Sequence, residues 1–153
     1  AVALLFQFDN SYILIDAMSR VQRFEDLVIF QSAKKLCVEI YRISGQDVFR
    51  SDYRFQQQIR AAVGSIMDNI AEGYERDGNK ELLNFLYIAK GSCGEVRSQL
   101  IRAKEVGHID ESTFLYLYKM CIGLSKGILA FIQSIKTSDF SGPKNKTEDP
   151  LPF

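Results

Sequence analysis

Proline is missing from residues 1–142, and all three prolines, Pro143, Pro150 and Pro152, fall in the closing segment SDFSGPKNKTEDPLPF. Proline inside a helix costs about 3 kcal/mol, so its absence leaves room for several long helices. Cysteine is sparse as well. Cys37, Cys93 and Cys121 are odd in number, far apart and without a CxxC pair, which argues against a disulfide framework and a zinc site. Each lies among apolar neighbours at helical spacing and reads as a small core residue. Charge of one sign is lacking: 19 Lys and Arg balance 19 Asp and Glu, with a single histidine. No overall field therefore draws in nucleic acid or an anionic membrane, and such binding would need a local patch or one built by assembly.

The opening AVALLFQFDNSYILIDA is apolar but broken by Asp9 and Asp16, and it has no basic n-region. It is neither a signal peptide nor the run of about 20 apolar residues that a membrane helix needs, so the expected location is the cytoplasm, with no membrane partner. Met18 is a candidate natural start. Three regions are expected: an N-terminal extension over 1–22, loosely ordered or non-native; a helical domain over 23–137; and a flexible proline-containing tail over 138–153.

What is present is a globular composition. The 153 residues are 46% hydrophobic and 25% charged, enough for one domain with a real core. A first helix is expected from about Glu25 to Ser44, with Leu27, Phe30, Leu36, Cys37, Ile40 and Tyr41 as its apolar line. A second runs from near Asp52 to about Glu75, where Phe55, Ile59, Ala62, Val63, Ile66 and Ile70 keep the i, i+4, i+7, i+8 pattern. A third runs from Asn79, read as its N-cap, to Val106, with Gly107 as its stop and Leu82, Leu86, Ala89, Cys93, Val96, Leu100 and Ala103 as core. The fourth is capped by Asp110 and runs to about Thr137. Short polar breaks, SGQDVFRSD, RDGN and GHID, join them. Helices of matched length with short connections predict an all-α fold, an antiparallel up-down-up-down four-helix bundle.

The fourth helix carries more apolar surface than such a bundle covers. Around the line Phe114, Tyr118, Cys121, Ser125, Ile128, Ile132 and Ile135, it adds Leu115, Ile122 and Leu129 on one flank and Leu117, Leu124 and Phe131 on the other, with Met120 further round. The arc is about 220°, roughly twice that of an ordinary surface helix. These seven residues are the candidate oligomer interface, with a second copy of the chain as the favoured cover and, as alternatives, the chain's own ends or a helix simply central to its own bundle.

The second helix also holds a polar stripe. Ser65, Asn69, Glu72 and Arg76 follow i, i+4, i+7, i+11, with Gly73 beside them, and the third helix answers with Gly91, Ser92, Gly94 and Glu95. Interior glycines cost about 1 kcal/mol each against alanine, so close helix contact beside a hydrogen-bonded seam is the expected reason for them.

The segments FEDLVIFQSAKKL, QIRAAVGSIMDNIAEGYER and FLYIAKGSCGEV resemble the signature segments of the bacterial four-helix-bundle proteins named for reading frames inside 23S rRNA intervening sequences, and the resemblance runs from about Arg23 to Ile135. Met67 stands where many relatives carry proline and Phe30 where tryptophan is usual; the first departure implies a straighter second helix, the second a smaller aromatic anchor. The resemblance implies a bundle that assembles into a ring, a homopentamer. It implies no reaction. A related branch, the accessory proteins of diversity-generating retroelements, forms a similar but strongly basic ring that works with a reverse transcriptase and RNA; this chain lacks that charge.

No Glu-x-x-His pair, nucleophile-base pair or phosphate-cradling loop is visible, and His108 is isolated in its turn, so neither catalysis nor a cofactor or metal is expected. The favoured function is a non-catalytic homo-oligomeric scaffold or adaptor that binds another protein. The alternative is an RNA-associated protein that uses Lys34, Lys35 and Arg42 on the first helix and Arg97, Arg102 and Lys104 on the third, multiplied around a ring.

Overall fold

The computed structural model describes residues 21–76 and 78–137. The expected tail, and residues 1–20 of the expected extension including Met18, lie outside them. Among the described residues all regular structure is helical. A single 3-10 turn, Phe24–Asp26, leads into α1 (Val28–Ser44), the short α2 (Asp47–Ser51), α3 (Tyr53–Glu75), α4 (Asn79–Glu105) and α5 (Glu111–Thr137).

The helix ends follow from local chemistry. Asp52 caps α3 by accepting from the Phe55 amide at 3.3 Å, and Asp110 caps α5 by accepting from the Thr113 amide at 2.8 Å. Hydrogen bonds from Thr113 and Ser112 hold the Asp110 carboxyl below its usual range. At the end of α4, Gly107 takes φ +76°, and its amide donates to the Lys104 carbonyl while that of His108 donates to the Ala103 carbonyl. This is the Schellman arrangement, which favours glycine at that position. At the start of α4 the capping position is Gly78, at φ +110°, and Asn79 is already the first helical residue. The N-cap expected at Asn79 is thus displaced by one residue.

Two further differences have physical reasons. Leu27 turns extended, so α1 begins at Val28 and the residues before it form the 3-10 turn. The break SGQDVFRSD contains α2, because Phe49 is fully buried and drives one helical turn onto the end of the molecule.

The apolar lines of α3 and α4 are buried as the spacing predicts, from Phe55 to Ile70 and from Leu82 to Ala103. Tyr41, counted with the α1 line, is instead half-exposed, with the Arg60 guanidinium 4.7 Å from its ring centre. Pairings between helices run in opposite directions. Arg102 donates to Gln58 near one end of α3 and α4, while Gly73 meets Phe85 near the other. Likewise Lys104 pairs with Glu111 and Lys136 donates to Tyr87 at the two ends of α4 and α5. α1 packs on α3 and α5, and its backbone does not come close to that of α4.

Candidate functional site

Part of the polar stripe closes between α3 and α4. The Ser65 and Ser92 hydroxyls are 2.9 Å apart, and the Asn69 amide donates to the Ser65 carbonyl at 2.7 Å and to its hydroxyl at 3.1 Å. Ser92 also reaches the Ile88 carbonyl at 3.1 Å, so this small cluster satisfies itself. Gly73 has the packing reason expected of it: a Cβ there would stand 2.6 Å from the Phe85 Cβ. Its neighbour Arg76 lies over the Phe85 ring at 4.9 Å and pairs with Glu72 at 2.7 Å and Glu81 at 3.7 Å. That pairing is exposed and contributes little to stability.

The other half of the stripe is not part of the seam. Gly91, Gly94 and Glu95 are exposed, and a Cβ at either glycine would meet nothing within 4 Å. The close contact expected of these glycines is therefore not made among the described residues. Among the described residues Glu95 accepts only a long bond, 3.4 Å, from Gln99.

The apolar surplus of α5 divides in two. Leu117, Leu124 and Phe131 are buried in the chain's own core, so they do not belong to an outer interface. The reason is geometric: α5 packs on both α4 and α1, so more than one stripe of it lies inside the core. Leu115 and Leu129 remain 45% and 38% exposed, and Ile122 and Met120 are partly so. On α4 the adjoining edge carries Tyr87 and Ile101, 46% and 45% exposed, with Gly94 midway. By length and composition α5 could cross a membrane. Its exposed face, however, carries Lys119 and Lys126 in mid-helix, where lipid contact is costly.

The basic candidates form two separate groups, since the backbones of α1 and α4 are not neighbours. On α1, Arg42 is held by Glu39 at 2.8 Å, while Lys34 and Lys35 are exposed beside a shallow groove with Val38, Tyr116 and Met120. On α4, Arg97 donates to the Tyr118 hydroxyl at 3.3 Å, Arg102 packs over the Phe55 ring at 3.9 Å, and Lys104 pairs with Glu111 at 2.5 Å. Glu111 raises the Lys104 pKa above its ordinary value.

Two polar joints escape sequence reading. The Gln56 amide donates to the Ser44 carbonyl at 2.6 Å and the Arg60 guanidinium to the Ser44 hydroxyl at 2.8 Å, tying α3 to the end of α1. The i, i+4 spacing of Gln56 and Arg60 is the signal that could have found it. At the same end, His108 packs edge-on to Phe49, ring centres 5.0 Å apart, and its Nε2 lies 3.2 Å from the Asp52 carboxylate. All three cysteines are free thiols; burial pushes those of Cys93 and Cys121 up to about 12 and raises that of Cys37. Among the described residues no group of three or more His, Cys, Asp or Glu side chains could hold a metal.

The model of one protein family, the 23S rRNA-intervening sequence proteins, matches residues 25–130. The chain belongs to this family. Its fold is also similar to the crystal structure of a protein of unknown function from the S23 ribosomal protein family of Bacteroides thetaiotaomicron, with a TM-score of 0.64 and 18% identity over 69% of this chain and 99% of that one. Identity that low speaks to the fold alone. No curated protein matches the chain. Within the family segment, α3 runs as one helix through Met67.

Proposed function

We propose that this member of the 23S rRNA-intervening sequence family is a non-catalytic, cytoplasmic scaffold: an antiparallel up-down-up-down four-helix bundle that closes with copies of itself into a ring and presents that ring to a partner protein. The carrying observation is the exposed apolar flank of α5, where Leu115, Ile122 and Leu129 follow one another at seven-residue steps along one face. An uncovered stripe of that regularity suits another helix laid along it. A ring of five is the assembly that the family resemblance implies. Light scattering with sedimentation over a range of concentrations tests the reading. A species of several protomers is expected; a helical monomer at every concentration would overturn it.

A second reading, association with RNA, is favoured by one observation: Lys34 and Lys35 are exposed and adjacent. Copies of that pair around a ring would make a basic stripe whose grip on phosphate weakens steeply with salt. Protein purified at low salt would then carry nucleic acid, visible in its absorbance ratio, and Lys34→Glu/Lys35→Glu would remove it. Clean protein that shifts no structured rRNA fragment would dismiss this reading.

A further inference from the structure

The outer face of α3 differs in kind from that of α5, and the two faces are complementary. Along α3, Gly64 and Ala71 form a half-buried line at a seven-residue step, and a Cβ on Gly64 would meet nothing within 4 Å. One position round the helix, Ala61, Asp68 and Glu75 form an exposed line at the same step. Small side chains followed by carboxylates thus occupy two adjoining stripes. On α5, the apolar stripe Leu115, Ile122 and Leu129 adjoins an exposed stripe of Lys119 and Lys126. In both helices the charged stripe lies four residues on from the small or apolar one. Asp68 and Glu75 are about 10.5 Å apart along their helix, and Lys119 and Lys126 are the same distance apart along theirs.

We infer that α3 of one copy lies antiparallel on the outer face of α5 of the next, with Gly64 and Ala71 under Leu129 and Ile122, Asp68 beside Lys126, and Glu75 beside Lys119. The inference rests on the self-assembly proposed above and names the two surfaces that meet. Antiparallel order follows from handedness. When each charged stripe is displaced from its packing stripe by the same rotation, only opposed helix directions put the two charged stripes on the same side of the contact. A parallel pair would set carboxylates and lysines on opposite sides. Small residues on one helix against branched ones on the other allow close approach, and the opposite charges fix register more than they add affinity. The two faces are on different helices and differ in composition, so the contact is head-to-tail, the kind that generates a ring when the rotation closes.

The test uses the full chain in three forms: wild type, Lys119→Glu/Lys126→Glu, and that pair combined with Asp68→Lys/Glu75→Lys. All altered positions are exposed, and circular dichroism checks that helicity is retained. Sedimentation is expected to give a dissociation constant at least tenfold weaker for the lysine reversal, and recovery to within about threefold of wild type for the fourfold exchange. If the lysine reversal assembles as wild type does, or the fourfold exchange fails to recover, the α3–α5 contact is wrong while self-assembly stands. A wild-type chain that is monomeric throughout removes self-assembly itself, and this contact with it.

Discussion

The α3–α4 and α1–α5 junctions are built to opposite plans. Of the adjoining pairs of long helices, α3 and α4 share the most extensive contact and α1 and α5 the least. The first holds a self-satisfied cluster of Ser65, Asn69 and Ser92, and a glycine pressed against Phe85. The second is flanked by an open groove where Lys34, Lys35 and Val38 face Tyr116 and Met120. The difference lies in the polar side chains, since α5 also sets a glycine against α1, where a Cβ on Gly127 would stand 3.5 Å from the Ile29 Cγ2. Polar atoms are tolerated at a helix junction when backbones come close enough for short side chains to reach each other. Where the contact is less extensive, as between α1 and α5, apolar and charged side chains are left to solvent or to a neighbour.

The sharpest way to break that comparison is at the glycines. Gly73→Ala places a methyl 2.6 Å from the Phe85 Cβ, and overpacking of this sort is expected to cost about 1–3 kcal/mol in urea unfolding. Gly94→Ala, in open space, should instead leave folding unharmed and gain up to about 1 kcal/mol from helix propensity. Equal losses at both positions would erase the distinction between the inner and outer glycines.

A smaller effect is expected at Asn69→Ala. It removes two hydrogen bonds and leaves the Ser65–Ser92 contact, for a loss of about 1 kcal/mol. No loss would show that the seam is ornamental to stability and that Gly73 alone sets the α3–α4 distance.

The smallest effect concerns Asp110, away from both junctions, and it depends on pH. A carboxyl whose folded pKa is lowered stabilises the fold above its unfolded value, about 4, and that contribution fades as pH falls through the folded value. The unfolding midpoint of Asp110→Ala should therefore fall below that of wild type near neutrality, and the gap should narrow by about pH 2. A gap independent of pH would mean that the side chain acts without its charge.

Much of this architecture was legible in the residues. The apolar period from Phe55 to Ile70 and from Leu82 to Ala103 has a single helical solution, and Gly107 and Asp110 mark the end of α4 and the start of α5 by chemistry that acts over a few residues. What was not legible depends on neighbours. A helical wheel shows that α5 is apolar over a wide arc but not that Leu117, Leu124 and Phe131 are buried in the chain's own core. Nor does it distinguish Gly73, which meets Phe85, from Gly91 and Gly94, which meet nothing. Phe49 was hidden in a polar break because its burial comes from a corner shared with Phe55 and His108, more than fifty residues away in the case of the histidine. The α1 and α4 cations looked alike in sequence, and only their partners separate exposed Lys34 and Lys35 from bound Lys104.

The two deep thiols have a consequence for kinetics. With Cys93 and Cys121 buried and their pKa values pushed up to about 12, almost no thiolate exists at neutral pH, and the reagents that attack thiolates have no access. Modification at these positions must wait until α4 and α5 part. Their uptake of an alkylating label therefore reports how often that separation occurs, while half-buried Cys37 reports from the outside.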